Sequence, residues 1–328
     1  MSAYGGPNGA ARGGMSGARQ NSRGKGRMGI TRTESSVNGL RYAALTCGEE
    51  GPLALCLHGF PDSPHTWRHL LPTLAGAGYR VVAPWLRGYA PTALAVDGDY
   101  SITAIADDVA GLYDAFGGDR DAVLVGHDWG AIIGYAAAAV PDRFRRVVTL
   151  AVPPPATAAR AFLDYDQLRR SFYVMLFQTP LAEFVVGADD LGFIERLWAD
   201  WSPGYDPSAD LPWVKDALRD PPNTAAAIAY YRAMFGSGVP QQVPAAPTLY
   251  LHGHTDGAFR VEGTAGAEAE LPAGSRVERL DGVGHFLHLE RPQQVNRMIL
   301  EWFGAGSASR NDHDVSVDSR HDAVSGTT

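Results

Sequence analysis

The sequence predicts an α/β architecture: a mostly parallel central sheet flanked by helices, with an all-helical segment inserted into it. Two observations predict it. Short, continuously apolar strands alternate with helical segments over most of the chain, the pattern of strands buried on both faces. That alternation stops between 153 and 243, where a strand-poor, aromatic-rich stretch separates two strands.

In chain order, an Asn38-Gly39 turn joins 33–37 to 40–46 as an opening hairpin. Strands follow at 53–57, 80–83, 122–125, 146–151, 248–251 and 276–280, and helical patterns fit 65–76, 101–116, 129–140, 261–270 and 291–303. Within the insertion, Pro153-Pro154-Pro155 ends a strand, and helices are expected at 160–177, 189–200, 212–219 and 223–235, the last stopped by Gly236. The organisation read from this is a core of 33–152 and 244–304 carrying a helical cap at 153–243. The Gly/Arg-rich 1–32 and the Ser/Asp-rich 305–328 hold few large apolar side chains and are expected to be disordered tails. Met15 and Met28 offer later starts.

Composition removes several function classes. With 45% hydrophobic and 20% charged residues over 328 positions, the chain can bury a large core without disulfides or metals. Two cysteines, Cys47 and Cys56, exclude a disulfide framework and a multi-cysteine zinc module. No apolar run reaches the roughly 18 residues of a membrane span, and the N-terminus lacks the apolar centre of a secretion signal. Net charge is −8, with +6 on residues 1–32 and −12 on the body 33–304. An acidic body repels phosphate backbones, so no nucleic-acid partner is expected. The default location is the cytoplasm.

The strongest chemical signal is Gly126-His127-Asp128-Trp129-Gly130, between a strand and a helix. Glycines at both ends permit a sharp turn that displays the central side chain above the sheet. Serine is the usual occupant of such an elbow. A carboxylate instead suits attack at an sp³ carbon, giving an alkyl ester on the protein, and the helix N-terminus beneath favours its charged form. After the strand 53–57, His58-Gly59-Phe60-Pro61 stands where a backbone N–H can join that of the residue following the nucleophile. The expected oxyanion hole is therefore the amides of Phe60 and Trp129.

An ester intermediate needs a base. His285, in Gly284-His285-Phe286 after the last strand, is placed to activate water; His58, His127, His252, His254 and His288 remain competitors. The orienting acid should follow another strand. Asp256 satisfies this, because the strand 146–151 is followed only by Val152 and prolines. No His-x-x-x-His pair with a third ligand stands out, so no metal is expected.

With these residues in order, the chain resembles α/β-hydrolase-fold enzymes of the epoxide hydrolase and haloalkane dehalogenase branch, over roughly 33–304. The resemblance implies two cap tyrosines that donate hydrogen bonds to an opening epoxide. Ser171-Phe172-Tyr173 through Thr179-Pro180, and Ala229-Tyr230-Tyr231-Arg232, match the family segments that hold them. The roles pass to Tyr173 and Tyr231, with Tyr230 one residue away as the competitor. A dehalogenase would place Asn after His58-Gly59, where this chain has Phe60, and a haloacetate dehalogenase would place arginines at 129–131. The expected pocket wall includes Phe60, Trp129, Phe177 and Phe286, suited to an apolar substrate.

The expectation is thus a cofactor-free epoxide hydrolase. Its partners are a small apolar epoxide and water, with a homodimer left open. Haloalkane dehalogenation and non-catalytic ligand binding on the same fold are the alternatives.

Overall fold

The computed structural model describes residues 29–304; both expected tails lie outside that range except for 29–32. Strand β1 (Thr31–Val37) starts inside the expected tail and pairs antiparallel with β2 (Leu40–Cys47). Asn38 and Gly39 are both at positive φ, as a type I′ hairpin requires. Next come β3 (Leu53–Leu57), α1 (Leu70–Gly76), β4 (Arg80–Pro84), α2 (Ile102–Ala115), β5 (Val123–His127), α3 (Trp129–Ala137) and β6 (Arg146–Leu150). The insertion holds α4 (Pro155–Ala161), α5 (Tyr165–Arg170), α6 (Phe172–Leu176), α7 (Ala182–Gly187), α8 (Gly192–Trp201), α9 (Leu211–Leu218) and α10 (Pro221–Gly236). The chain returns through β7 (Thr248–Gly253), α11 (Ala267–Glu270), β8 (Arg276–Leu280), α12 (Leu287–Glu290) and α13 (Pro292–Phe303).

The eight strands form one sheet in the order β1-β2-β4-β3-β5-β6-β7-β8, antiparallel at β1–β2–β4 and parallel beyond. β3 and β5 are buried along their whole length, which explains their unbroken apolar character. The parallel strands end flush: Leu57 pairs with Gly126, His127 with Leu150, Leu150 with Leu251 and Gly253 with Leu280. The loops after β3, β5, β7 and β8 therefore emerge side by side, where ligands bind in open α/β sheets.

Several helices are shorter than the periodicity predicts, each for a local reason. The 160–177 pattern breaks into three because Asp164 leaves the helical region to cap α5, its carboxylate accepting the Gln167 N–H, and the chain turns again at Ser171. Asp189, Asp190 and Leu191 are left-handed, which delays α8 to Gly192. The 65–76 helix divides into a 3-10 turn at Pro64–Trp67 and α1, and 261–270 divides at Gly266, which has φ 88°. α10 starts earlier than expected, on Pro221 and Pro222 in its first turn, and runs through Gly236.

One apolar core joins β3, β5 and β6 to Trp198, Trp201, Val214 and Tyr231 of the inserted helices without a break. No helix among the described residues is long and apolar enough to cross a membrane.

Candidate active site

Asp128 follows β5 and opens α3 with φ 53° and ψ −118°, a conformation rarely held by residues with a side chain. Glycine is needed on either side of it. A Cβ on Gly126 would stand 2.2 Å from the Gly130 carbonyl oxygen, and one on Gly130 would stand 2.2 Å from that of Leu57. The turn is thus closed tightly enough to raise the Asp128 side chain over the strand ends. There its Oδ1 accepts the Phe60 N–H at 2.8 Å, from the loop after β3. The Phe60-Pro61 bond is cis. Trp129 is the first residue of α3, so its N–H has no acceptor within the helix.

His285 faces Asp128 from the loop after β8. Its Nδ1 donates to Asp256 Oδ2 at 2.9 Å, which fixes the tautomer and turns Nε2 towards Asp128 Oδ2 at 3.6 Å. That distance is an ionic contact rather than a hydrogen bond. The other oxygen of Asp256 accepts the N–H groups of Ala258 and Phe259 at 2.8 and 2.9 Å. Burial alone would lower the His285 pKa. The Asp256 charge, followed by the Asp128 carboxylate, overcomes it and lifts the value to about 10.

The other histidines are engaged elsewhere. His58 lies between the Gly59 carbonyl and the Leu86 N–H, with its pKa lowered by burial to about 4. His252 bridges the Tyr250 hydroxyl and the Phe259 carbonyl, and His254 is exposed near Asp281.

A cavity of about 330 Å³ opens over Asp128, Trp129 and His285. Tyr173 from α6 and Tyr231 from α10 both line it, their rings 5.8 Å apart at 85°. Burial raises both phenol pKa values well above 10, and the Asp128 charge adds to the effect, so both hydroxyls keep their protons. Tyr230 points the other way, its hydroxyl donating to the Arg87 carbonyl at 2.7 Å.

The rest of the wall includes Ile132, Pro153, Phe162, Val174, Met234, Gln241 and Phe259, and also Tyr135, whose hydroxyl is held by Thr149 and the Val152 carbonyl. This corrects the expected wall. Phe60, Phe177 and Phe286 stand one layer behind it. Phe60 and Phe177 pack edge-on against Tyr231, with ring centres at 5.3 and 5.0 Å, and Phe286 stacks on Trp198 at 3.6 Å. Trp129 alone of the expected aromatic set reaches the cavity, beside Tyr231 at 5.0 Å.

Sequence reading also missed a buried polar cluster behind His285. Asp62, His127 and His288 bring three ligand-type atoms within 4.8 Å of one another. His127 Nε2 meets the His285 carbonyl and His288 Nε2 meets the Thr66 hydroxyl, which leaves the two Nδ1 atoms and Asp62 Oδ2 to face each other. The grouping is buried at all three residues. It is also the convergence among the described residues most like a divalent-cation site. Its members are too far apart in sequence for any spacing to reveal it.

A family model described as the alpha/beta hydrolase fold matches residues 52–292, which defines the class of protein. Within it, epoxide hydrolase A of Mycobacterium tuberculosis is 30% identical over 313 residues, covering 81% of this chain and 95% of that protein. Epoxide hydrolase 3 of Xenopus tropicalis is 33% identical over 301 residues, covering 84% and 78%. The crystal structure of a Bacillus megaterium epoxide hydrolase in complex with an inhibitor superposes with a TM-score of 0.73 at 26% identity, over 83% of this chain and 100% of that one. The chain belongs to the epoxide hydrolase family of the α/β-hydrolase fold.

Proposed function

We propose that this chain adds water to an apolar epoxide to give a vicinal diol, through an ester on Asp128. The Asp128 carboxylate attacks a ring carbon, and the carbon–oxygen bond of the ring breaks as Tyr173 and Tyr231 donate to the departing oxygen. His285, held by Asp256, then takes a proton from water, which attacks the ester carbonyl. The amides of Phe60 and Trp129 stabilise the resulting oxyanion. Its collapse breaks the ester carbon–oxygen bond, and the leaving alkoxide takes the proton held by His285 to complete the diol. The acid proton left on Asp128 returns to the phenol that protonated the ring oxygen, restoring the carboxylate. The helices between β6 and β7, with limits near 153 and 243, act as a cap over a core of 33–152 and 244–304. The partners are a small apolar epoxide and water, and the location is the cytoplasm.

The observation that carries this reading is the pair of protonated phenols in one apolar cavity with Asp128. An alkoxide leaving group needs such donors, whereas a halide leaves without a proton. Turnover of styrene oxide in ¹⁸O-labelled water should give diol and, over many cycles, label in the Asp128 peptide. Halide release from bromoalkanes with no diol from any epoxide would overturn the reading.

The tyrosines provide a finer test. Replacing either Tyr173 or Tyr231 with Phe should lower kcat by roughly 10²–10³-fold, the usual effect of deleting one donor to developing negative charge. Tyr230→Phe should change it only a few-fold, because that hydroxyl serves the Arg87 carbonyl. Steady-state diol formation by the three variants decides. An equal loss in all three would remove the assignment.

A further inference from the structure

The inserted helices do more than roof the cavity. They are hydrogen-bonded to both loops of the acid–base pair. The carbonyl of Trp201, at the end of α8, accepts the N–H of Gly257 beside Asp256 and the N–H of His285, each at 3.0 Å. Ser202 Oγ accepts the Phe286 N–H at 3.0 Å, and Arg170 Nη1 donates to the Asp256 carbonyl at 2.6 Å. α8 approaches so closely that a Cβ on Gly257 would stand 1.9 Å from the Asp200 carbonyl oxygen.

Within this seam Gln167 of α5 is the most specific contact. It is 1% exposed, and its amide is engaged at both ends. Oε1 accepts the Arg260 N–H at 2.8 Å, and Nε2 donates to the Ala258 carbonyl and the Ser171 hydroxyl, both at 2.9 Å. The Ala258 carbonyl and the Phe259 N–H belong to one peptide plane, and that N–H donates to Asp256 Oδ1 at 2.9 Å. One rigid peptide is thus gripped by Gln167 on one side and by the carboxylate of Asp256 on the other, so its orientation is transmitted between them.

We infer that Gln167 is a positioning residue: it orients the peptide that holds Asp256, and through Asp256 it sets His285. The inference rests on the proposed division of labour, in which Asp128 and the tyrosines form the ester and Asp256 and His285 act only in hydrolysing it. Loss of the Gln167 amide should therefore spare the first step and slow the second. A structural role alone would lower both steps or neither.

The test uses Gln167→Met, which keeps the length of the side chain and removes its hydrogen bonds. Single turnovers with styrene oxide, quenched and read by intact mass, should show ester formation within about threefold of the unaltered chain. Hydrolysis of the ester should be about 10–10²-fold slower, the scale of a misplaced reacting group. Without substrate, the far-downfield proton resonance of His285 Nδ1–H should shift or broaden. If Gln167→Met does not fold, Gln167→Glu keeps the acceptor for Arg260 and loses the donor to Ala258, and should show the same split. An unchanged resonance, or equal changes in the two rates, overturns the inference. A shifted resonance in a protein whose unaltered form opens no epoxide supports the positioning and overturns the proposed function instead.

Discussion

Asp128→Ala is expected to lose diol formation by at least about four orders of magnitude, the scale on which nucleophile deletions act. No neighbouring carboxylate can take over. Both oxygens of Asp256 are occupied, one by two backbone N–H groups and the other by His285. Asp62 lies buried behind the site, and burial raises its pKa well above the ordinary carboxylate value, so it is a poor nucleophile. The fold should survive, since the elbow is closed by Gly126 and Gly130 rather than by the Asp128 side chain. A second signature should accompany the lost activity. The Asp128 charge helps to hold His285 protonated, so the variant's imidazole should titrate below the value of about 10 in the unaltered chain. Diol analysis and an NMR titration of His285 read the two effects separately. Diol formed at an undiminished rate would remove Asp128 as the nucleophile.

Part of this site is legible in the sequence because local chemistry dictates it. The elbow is five consecutive residues; Gly126 is required by a backbone contact within the turn, and Gly130 by the close approach of the end of β3. Asp256 and His285 can be placed because each follows a strand, buried β7 and the edge strand β8, in a sheet whose strand ends are flush. The choice between Tyr230 and Tyr231 is not available from sequence, since both are apolar-faced aromatics on one helix. It turns on which hydroxyl meets the Arg87 carbonyl, a contact 143 residues distant. The wall fails for the same reason. Phe60, Phe177 and Phe286 sit in or beside the chemical motifs, yet their rings pack behind the wall against Tyr231 and Trp198. Ile132 and Phe259, a few residues past the elbow and Asp256, reach the cavity, as does Phe162 from a segment with no motif. Helix breaks at Asp164 and Gly266 were hidden because apolar periodicity continues across a capping residue.

His285→Gln is expected to stop the reaction halfway. In the proposed route ester formation needs Asp128 and the two phenols, so the variant should still open one epoxide per chain. It should then persist as an adduct whose mass exceeds that of the protein by one epoxide. Steady-state diol formation should fall by about 10³-fold or more, as when a general base is removed from a unit that acts together. The pH dependence follows from the charges. In the free protein His285 stays protonated up to about pH 10, the two facing carboxylates outweighing burial. In the proposed route esterification neutralises Asp128, so the imidazole would lose one of the charges that held its proton and become a competent base in the step that needs one. The hydrolysis rate of the unaltered chain should therefore rise with pH through an apparent pKa below that of the free protein. Stability carries the complementary sign. A folded-state pKa raised above the ordinary 6.5 stabilises the fold fully below about pH 6.5, and that stabilisation is lost as pH rises through about 10. Denaturant unfolding should show this decline in the unaltered chain and a flatter profile in His285→Gln. If His285→Gln formed no adduct and turned over normally, the base would have to be another residue, and the shared pH signature would have to vanish with it.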